Sequence, residues 1–398
     1  MDDLKKRALD YHQFPMPGKL SVESSKPCTT QDDLSLTYTP GVAAPVLEIN
    51  TDPNNAYKYT NKGNLVAVIS DGTAVLGLGD VGALASKPVM EGKAVLFKHF
   101  AGIDVFDIEI NAATPDEFIQ TVVNIAPTFG GINLEDIAAP HCFYIENELK
   151  KRLDIPVFHD DQHGTAVIVA GALLNALEIQ GKTLPTAKIV FLGAGAAGCS
   201  CAKLLKSMGA TDITMVDRTG VLDTSRSNLH DNNRELAIKP TGAKTLADVM
   251  PEVDVFIGVS AKNALNPDLV KVMAKNPIIF ALANPDPEIL PKVAHAIRDD
   301  ILMATGRSDF PNQVNNALCF PYLFRGALDA KATEITEKMK IAAAYALSEL
   351  AREPVPEEVL QAYNLKTLTF GKDYIIPKPF DKRLLDNVSS AVAKAAKA

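Results

Sequence analysis

The chain has 398 residues, 47% apolar and 22% charged, with a formal net charge of −8, a balance that suits a globular protein with room for two domains and a sizeable core. Its densest basic clusters are Lys5-Lys6-Arg7 and Lys150-Lys151-Arg152, which argues against nucleic acid as a partner, and no stretch approaches the roughly 20 uninterrupted apolar residues of a membrane span. Met1-Asp2-Asp3-Leu4-Lys5 lacks the apolar core of a signal peptide, and the five cysteines (Cys28, Cys142, Cys199, Cys201, Cys319) contain no C-x-x-C pair, so a cytoplasmic protein with reduced, mostly buried thiols is expected.

Short apolar runs alternate with helix-length amphipathic segments from about residue 65 to 306, the pattern of parallel sheets covered by helices, and an α/β fold follows. The first glycine-rich run, Gly77-Leu78-Gly79-Asp80-Val81-Gly82, leads into Lys87-Pro88 and reads as a tight loop before a short segment. At Thr114-Pro115-Asp116-Glu117 a helix starts: Thr can cap, Pro suits the first turn and Glu sits three residues after the cap; its end is expected near Gly130-Gly131. Two acidic pairs stand at apparent strand ends, Glu135-Asp136 after Gly131-Ile132-Asn133-Leu134 and Asp160-Asp161 after Ile155-Pro156-Val157-Phe158. A helix apolar almost all round is expected over 164–179, with Gly181 as its terminator, joining two domains. A tight βαβ pattern comes next: strand 188–192, helix to Met208, Gly209, strand 213–217. From Thr333 onward Ala, Glu, Lys and Leu recur at helical spacing, as expected for helical packing or an oligomer contact. The expected division is an N-terminal α/β catalytic and metal domain over 1–163, a Rossmann-type dinucleotide domain with a parallel sheet over 164–330, and a C-terminal helical segment over 331–398.

The pattern G-x-G-x-x-G occurs twice, and context decides between the two copies. A dinucleotide turn needs a strand before it, a helix N-terminus after it facing the pyrophosphate, and an acidic residue roughly 20 positions on for the ribose. Gly193-Ala194-Gly195-Ala196-Ala197-Gly198 has all three, with Asp217 as the acid. The Gly77 run has no acid at that distance until Asp104, beyond a strand-like run, and reads as a loop bringing backbone close to a neighbouring site. A carboxylate at Asp217 accepts from both ribose hydroxyls of NAD and repels the extra phosphate of NADP, so NAD is favoured, while Arg218 beside it keeps NADP open.

Glu135, Asp136, Asp160 and Asp161 brought together would raise one another's pKa unless a cation balanced them, and oxygen ligands without thiolates suit Mg²⁺ or Mn²⁺. On the residues alone the alternative stays open that each pair caps a following helix. His159 and His163 stand four apart, but the glutamate of H-E-x-x-H is missing, and hydrogen bonds to neighbouring carboxylates are the better reading.

Several segments in order resemble the malic enzymes, particularly the short bacterial form: Tyr38-Thr39-Pro40-Gly41-Val42-Ala43, the run from Asp71-Gly72-Thr73 to Gly82, Glu91-Gly92-Lys93, Asn133-Leu134-Glu135-Asp136, His159-Asp160-Asp161-Gln162-His163-Gly164-Thr165-Ala166, and the Gly193 motif. The resemblance implies oxidative decarboxylation of malate to pyruvate and carbon dioxide with reduction of NAD(P). It implies Tyr38 as general acid, Lys93 as general base, Asp160 as the acid that tunes Lys93, Glu135, Asp136 and Asp161 as ligands of Mg²⁺ or Mn²⁺, and Asn284, Asn315 and Asn316 as holders of malate. A homodimer or larger oligomer is also implied, in which Tyr38 can come from a neighbouring chain. Without the resemblance, Tyr38 reads as a buried aromatic and Lys93 as a solvated lysine. One departure stands out: longer members carry an arginine that grips a substrate carboxylate where this chain has Thr73-Ala74-Val75.

The chemistry asks for these residue types. A base must reach the C2 hydroxyl as hydride leaves for the nicotinamide, and a lysine serves only when neutral. Rival readings are malolactic decarboxylation, a plain NAD-dependent 2-hydroxy acid dehydrogenase that needs no metal, and a non-catalytic NAD-binding module.

Overall fold

A computed structural model describes residues 2–75 and 77–397; Leu76, within the Asp71-to-Gly82 run, and Met1 and Ala398, at the outer ends of the expected first and last segments, lie outside the described residues. Two sheets carry the architecture. The first holds β1 (Leu65–Ser70), β2 (Asp104–Glu109), β3 (Gly131–Leu134) and β4 (Val157–His159) in the order β2-β1-β3-β4, all parallel. All six residues of β1 are buried, which is why it reads as a continuous apolar run and not as an alternation.

The second sheet holds β5 (Lys188–Leu192), β6 (Asp212–Asp217), β7 (Gly220–Val221), β8 (Val255–Gly258), β9 (Ile278–Ala281) and β10 (Leu302–Thr305) in the order β10-β9-β8-β5-β6-β7, parallel except for β7. The chain leaves β5 for β6 on one side and returns to β8 on the other, so the strand order reverses there. The crevice beyond the strand ends at such a reversal is where α/β folds bind ligands. In the first sheet the same reversal falls between β1 and β3.

The helix Thr165–Ile179 is buried along nearly its whole length and welds the two sheets together. One core takes Val66 and Val68 from β1, Ala166 to Leu177 from this helix, and Ile189 and Phe191 from β5. Helices Glu337–Leu350 and Arg383–Ala396 pack on each other, and the former also packs on Thr165–Ile179. Asn175 anchors that contact, its Nδ2 donating to the carbonyls of Ser348 (2.9 Å) and Ile375 (2.8 Å).

Thr114 caps its helix as the sequence predicts, accepting from the Glu117 N–H at 3.2 Å, but the helix Pro115–Ile125 stops before Gly130. Pro127 has no N–H to continue the helical ladder, and the chain tightens into the 3₁₀ turn Ala126–Thr128. The segment after the Gly77 run, expected to be short, is a helix of 19 residues, Ala83–Ala101, that carries Pro88 inside it. Burial of Met90, Ala94 and Phe97 on one face offsets the hydrogen bond that Pro88 cannot make. Residues 3–60, by contrast, include no buried position. Among the described residues no helix is long and apolar enough to cross a membrane.

Candidate active site

The acidic residues arrive from two connections at the C-terminal ends of the first sheet's strands. Glu135 and Asp136 follow β3, and Asp136 sits at φ 53, a left-handed turn that swings the chain away from the strand. Its N–H donates to Asp161 Oδ2 at 2.8 Å, and its carbonyl accepts from the Ala74 N–H at 2.9 Å, tying the loops after β1, β3 and β4 together. Asp160 and Asp161 lie in the single π-helical turn Asp160–Gly164 that leads into Thr165–Ile179. Such turns cluster at functional sites because they re-aim side chains within a helix. Neither acidic pair occupies an N-cap position, although Asp160 and Asp161 lie in the first turn of the π-helical stretch.

Glu135, Asp136 and Asp161 each offer a carboxylate oxygen, all within 4.8 Å of one another. Asp136 Oδ2 is buried and has no hydrogen-bond partner, so the trio presents unused acceptor capacity. All-oxygen donors of this charge fit a hard divalent cation. Burial, then Asp161 and Asp160 nearby, push the Asp136 carboxyl up to about 7. Burial likewise drives Glu135 well above the usual carboxylate range, against the pull of Lys93.

Lys93 projects from Ala83–Ala101 into this cluster. Its Nζ lies 2.7 Å from Asp160 Oδ2, 2.9 Å from Glu135 Oε1 and 4.4 Å above the Phe320 ring. Burial works to lower its pKa, but Asp160, Glu135 and Asp161 together outweigh that and hold the ammonium above the ordinary lysine range. Asp160 Oδ2 also accepts from Asn316 Nδ2 at 3.0 Å, so the carboxylate that receives the lysine is itself held. The Lys93 side chain, 12% exposed, is therefore largely withdrawn from water, not solvated as its residue type alone suggests.

A cleft of about 760 Å³ is lined by Lys93, Glu135, Asp136 and Asp161, by Asn284, Asn315 and Asn316, and by Ala196 and Ala197 of the dinucleotide turn. The two sheets thus meet over one cavity. Gly193 to Gly195 join β5 to the helix Ala196–Ser207, and a Cβ at Gly198 in its first turn would run into the Gly193 carbonyl, as the close helix-to-strand packing of a dinucleotide turn requires. The Gly77 run is a loop at φ 74, 79 and 79 for its glycines, and Gly77 and Gly79 line the same cleft, in keeping with the reading of a close backbone approach.

Three predicted residues behave differently from expectation. Tyr38 is 69% exposed on the N-terminal arm and does not line the cleft of its own chain. Asp217 ends β6 as predicted, but it is not free: Arg226 holds both its oxygens, at 3.0 and 2.8 Å, and the NAD preference drawn from it assumed a free carboxylate. Among the described residues the His159 ring finds no hydrogen-bond partner, lying 3.8 Å from Asp161, whereas His163 does pair with a carboxylate, that of Glu146 at 2.8 Å. Burial pushes His163 down to about 4, so its neutral ring accepts at Nδ1 from Lys340 (3.3 Å) and donates at Nε2 to Glu146.

Sequence reasoning missed Asn133, whose Nδ2 donates to Glu135 Oε2 at 2.9 Å, although two residues apart on a strand means one face and the signal was there. It also missed Phe320 and Arg226, which only the folded chain brings to Lys93 and Asp217.

The fold and site define a two-domain α/β oxidoreductase with a dinucleotide-binding turn on one sheet and a cluster of three carboxylates on the other. Residues 17–150 match the malic enzyme N-terminal domain, and residues 162–365 the malic enzyme NAD-binding domain. The chain belongs to the malic enzyme family, enzymes that oxidatively decarboxylate malate to pyruvate with reduction of NAD or NADP. It is 58% identical to an NADP-dependent malic enzyme of Halomonas elongata, over 100% of this chain and 94% of that one. It is 54% identical to an NAD-dependent malic enzyme of Rhizobium meliloti over 99% of this chain, but spans only 51% of that relative's length. The crystal structure of a malic enzyme from Pyrococcus horikoshii superposes with a TM-score of 0.91 at 42% identity, over 99% of this chain and 90% of that one.

Proposed function

We propose that this chain converts malate to pyruvate and carbon dioxide, using NAD or NADP as oxidant, with Lys93 as the base and Glu135, Asp136 and Asp161 holding Mg²⁺ or Mn²⁺. The observation that carries the reading is that Lys93, the three clustered carboxylates and the dinucleotide turn all line one cleft. Lys93 Nζ takes the proton of the C2 hydroxyl as hydride departs to the nicotinamide. Asp160, held by Asn316, aims Lys93 and balances its positive charge. When bound, a divalent cation supplies charge that offsets the carboxylates keeping Lys93 protonated, and Lewis acidity toward the C2 oxygen that favours loss of the C4 carboxylate. Asn284 and Asn315 offer amide donors to the substrate carboxylates, in a cleft whose lining, among the described residues, includes no arginine.

Tyr38 completes the scheme as the acid that protonates C3, supplied by the arm of a second copy in a homodimer or larger assembly. An arm of residues 3–60 with no buried position is suited to packing on a neighbour. The test is a spectrophotometric assay of malate with NAD and with NADP, each with and without Mn²⁺. Pyruvate and reduced cofactor in equal amounts, dependent on the metal, is the expected result. Full activity in excess chelator would make the chain a plain hydroxy acid dehydrogenase, and lactate without net cofactor reduction would make it malolactic.

A further inference from the structure

The carboxylate at the end of β6 is engaged on both oxygens. Asp217 Oδ1 accepts from Arg226 Nη1 (3.0 Å), the Thr219 N–H (2.8 Å) and Thr219 Oγ1 (2.8 Å), and Oδ2 accepts from Arg226 Nη2 (2.8 Å). Arg226 reaches back across the tight β6–β7 turn, where Asp217 pairs with Gly220, and is fixed there by the Gly220 and Val221 carbonyls (3.3 Å each) and by Asn228 Oδ1 (3.1 Å). Its side chain is 15% exposed and that of Asp217 25% exposed, so the pair is only partly open to water. Arg218, between them in the turn, is exposed, and among the described residues no hydrogen bond or ion pair of its side chain is found.

Selection for NAD at such a position needs two free acceptor oxygens for the ribose diol and an uncompensated negative charge to turn away a 2′-phosphate. Asp217 has neither. A bidentate guanidinium cancels its charge, and three donors saturate Oδ1. We propose that the Asp217–Arg226 fork sets cofactor choice: Arg226 occupies and neutralises Asp217, and so admits a 2′-phosphorylated dinucleotide beside NAD. Arg218 then stands next to the ribose as the free cation that meets the phosphate. The inference rests on the proposed reading that the adenosine ribose lies at Asp217.

NADH and NADPH differ only by the 2′-phosphate, and their own fluorescence allows each to be titrated onto the full chain without substrate or turnover. Arg226→Gln, which removes the cation and leaves the Asp217 charge uncompensated with Oδ2 free, should weaken NADPH by about tenfold or more while NADH holds or tightens. Asp217→Asn, which frees Arg226, should move the NADPH-to-NADH preference the opposite way, so a folding defect in one variant leaves the other as a test. Should both substitutions weaken both cofactors in parallel, the fork is only a brace for the turn and the proposal falls. If neither changes either cofactor beyond about twofold, the ribose does not lie at Asp217, and the cofactor placement falls with it.

Discussion

Metal binding and protonation compete for the same oxygens, and the competition has a size. Burial beside Asp161 and Asp160 lifts the Asp136 carboxyl to about 7 in the chain without an ion. Its ionised fraction then falls from about nine-tenths at pH 8 to about one-tenth at pH 6, and the apparent Kd for Mn²⁺ should rise about tenfold over that interval, about 1.4 kcal/mol. Glu135, also held above its usual range by burial, shifts the competition in the same direction. The sign follows from the direction of the shift: a raised carboxyl carries a proton below its pKa, and the ion must displace it. Calorimetric titration of Mn²⁺ in buffers of different ionisation enthalpy reads both the affinity and the protons released. Asp136→Asn should bind more weakly at pH 8 and show a flatter pH dependence. A Kd unchanged between pH 6 and 8, with no buffer dependence of the heat, would refute the reasoning.

Three further outcomes follow from the same geometry. Lys93→Ala should cut kcat by roughly 10²- to 10⁴-fold with NADH affinity nearly unchanged, because Nζ touches Asp160 and Glu135 and not the dinucleotide turn; loss of NADH binding instead would misassign the site. Gly164→Ala places a Cβ on Asp160 Oδ1 within the π-helical turn, so it should cost about 1–3 kcal/mol in a denaturant melt and lower kcat by turning Asp160 away from Lys93. His163, depressed to about 4 from 6.5, binds its proton only in the unfolded chain between those values, so stability should fall with falling pH by about 1.4 kcal/mol per unit across that window, near 3 kcal/mol in all. Urea melts of wild type and His163→Gln from pH 7 to 4.5 check it: equal slopes would show that His163 is not the titrating group.

Much of this was legible without coordinates, and the reason is periodicity. The strand β5, the glycine turn after it and Asp217 follow from local rules of φ, hydrogen bonding and close approach, and the structure reproduces them nearly to the residue. The acidic pairs were visible for the same reason, since they fall where apolar runs stop. The long helix carrying Lys93 was not legible, because Pro88 breaks the local pattern and only burial of Met90, Ala94 and Phe97 against the rest of the chain restores it.

What the sequence by itself determined is the two-sheet α/β class, the dinucleotide turn and the identity of the acidic cluster, each a property of a short segment. Only the tertiary structure decided that Glu135, Asp136 and Asp161 come within 4.8 Å, that Lys93 is largely withdrawn from water among them, and that Asp217 is already held by Arg226. Those are meetings of side chains from separated stretches. Charge and exposure at each are set by which neighbour arrives, and no spacing along the chain encodes that.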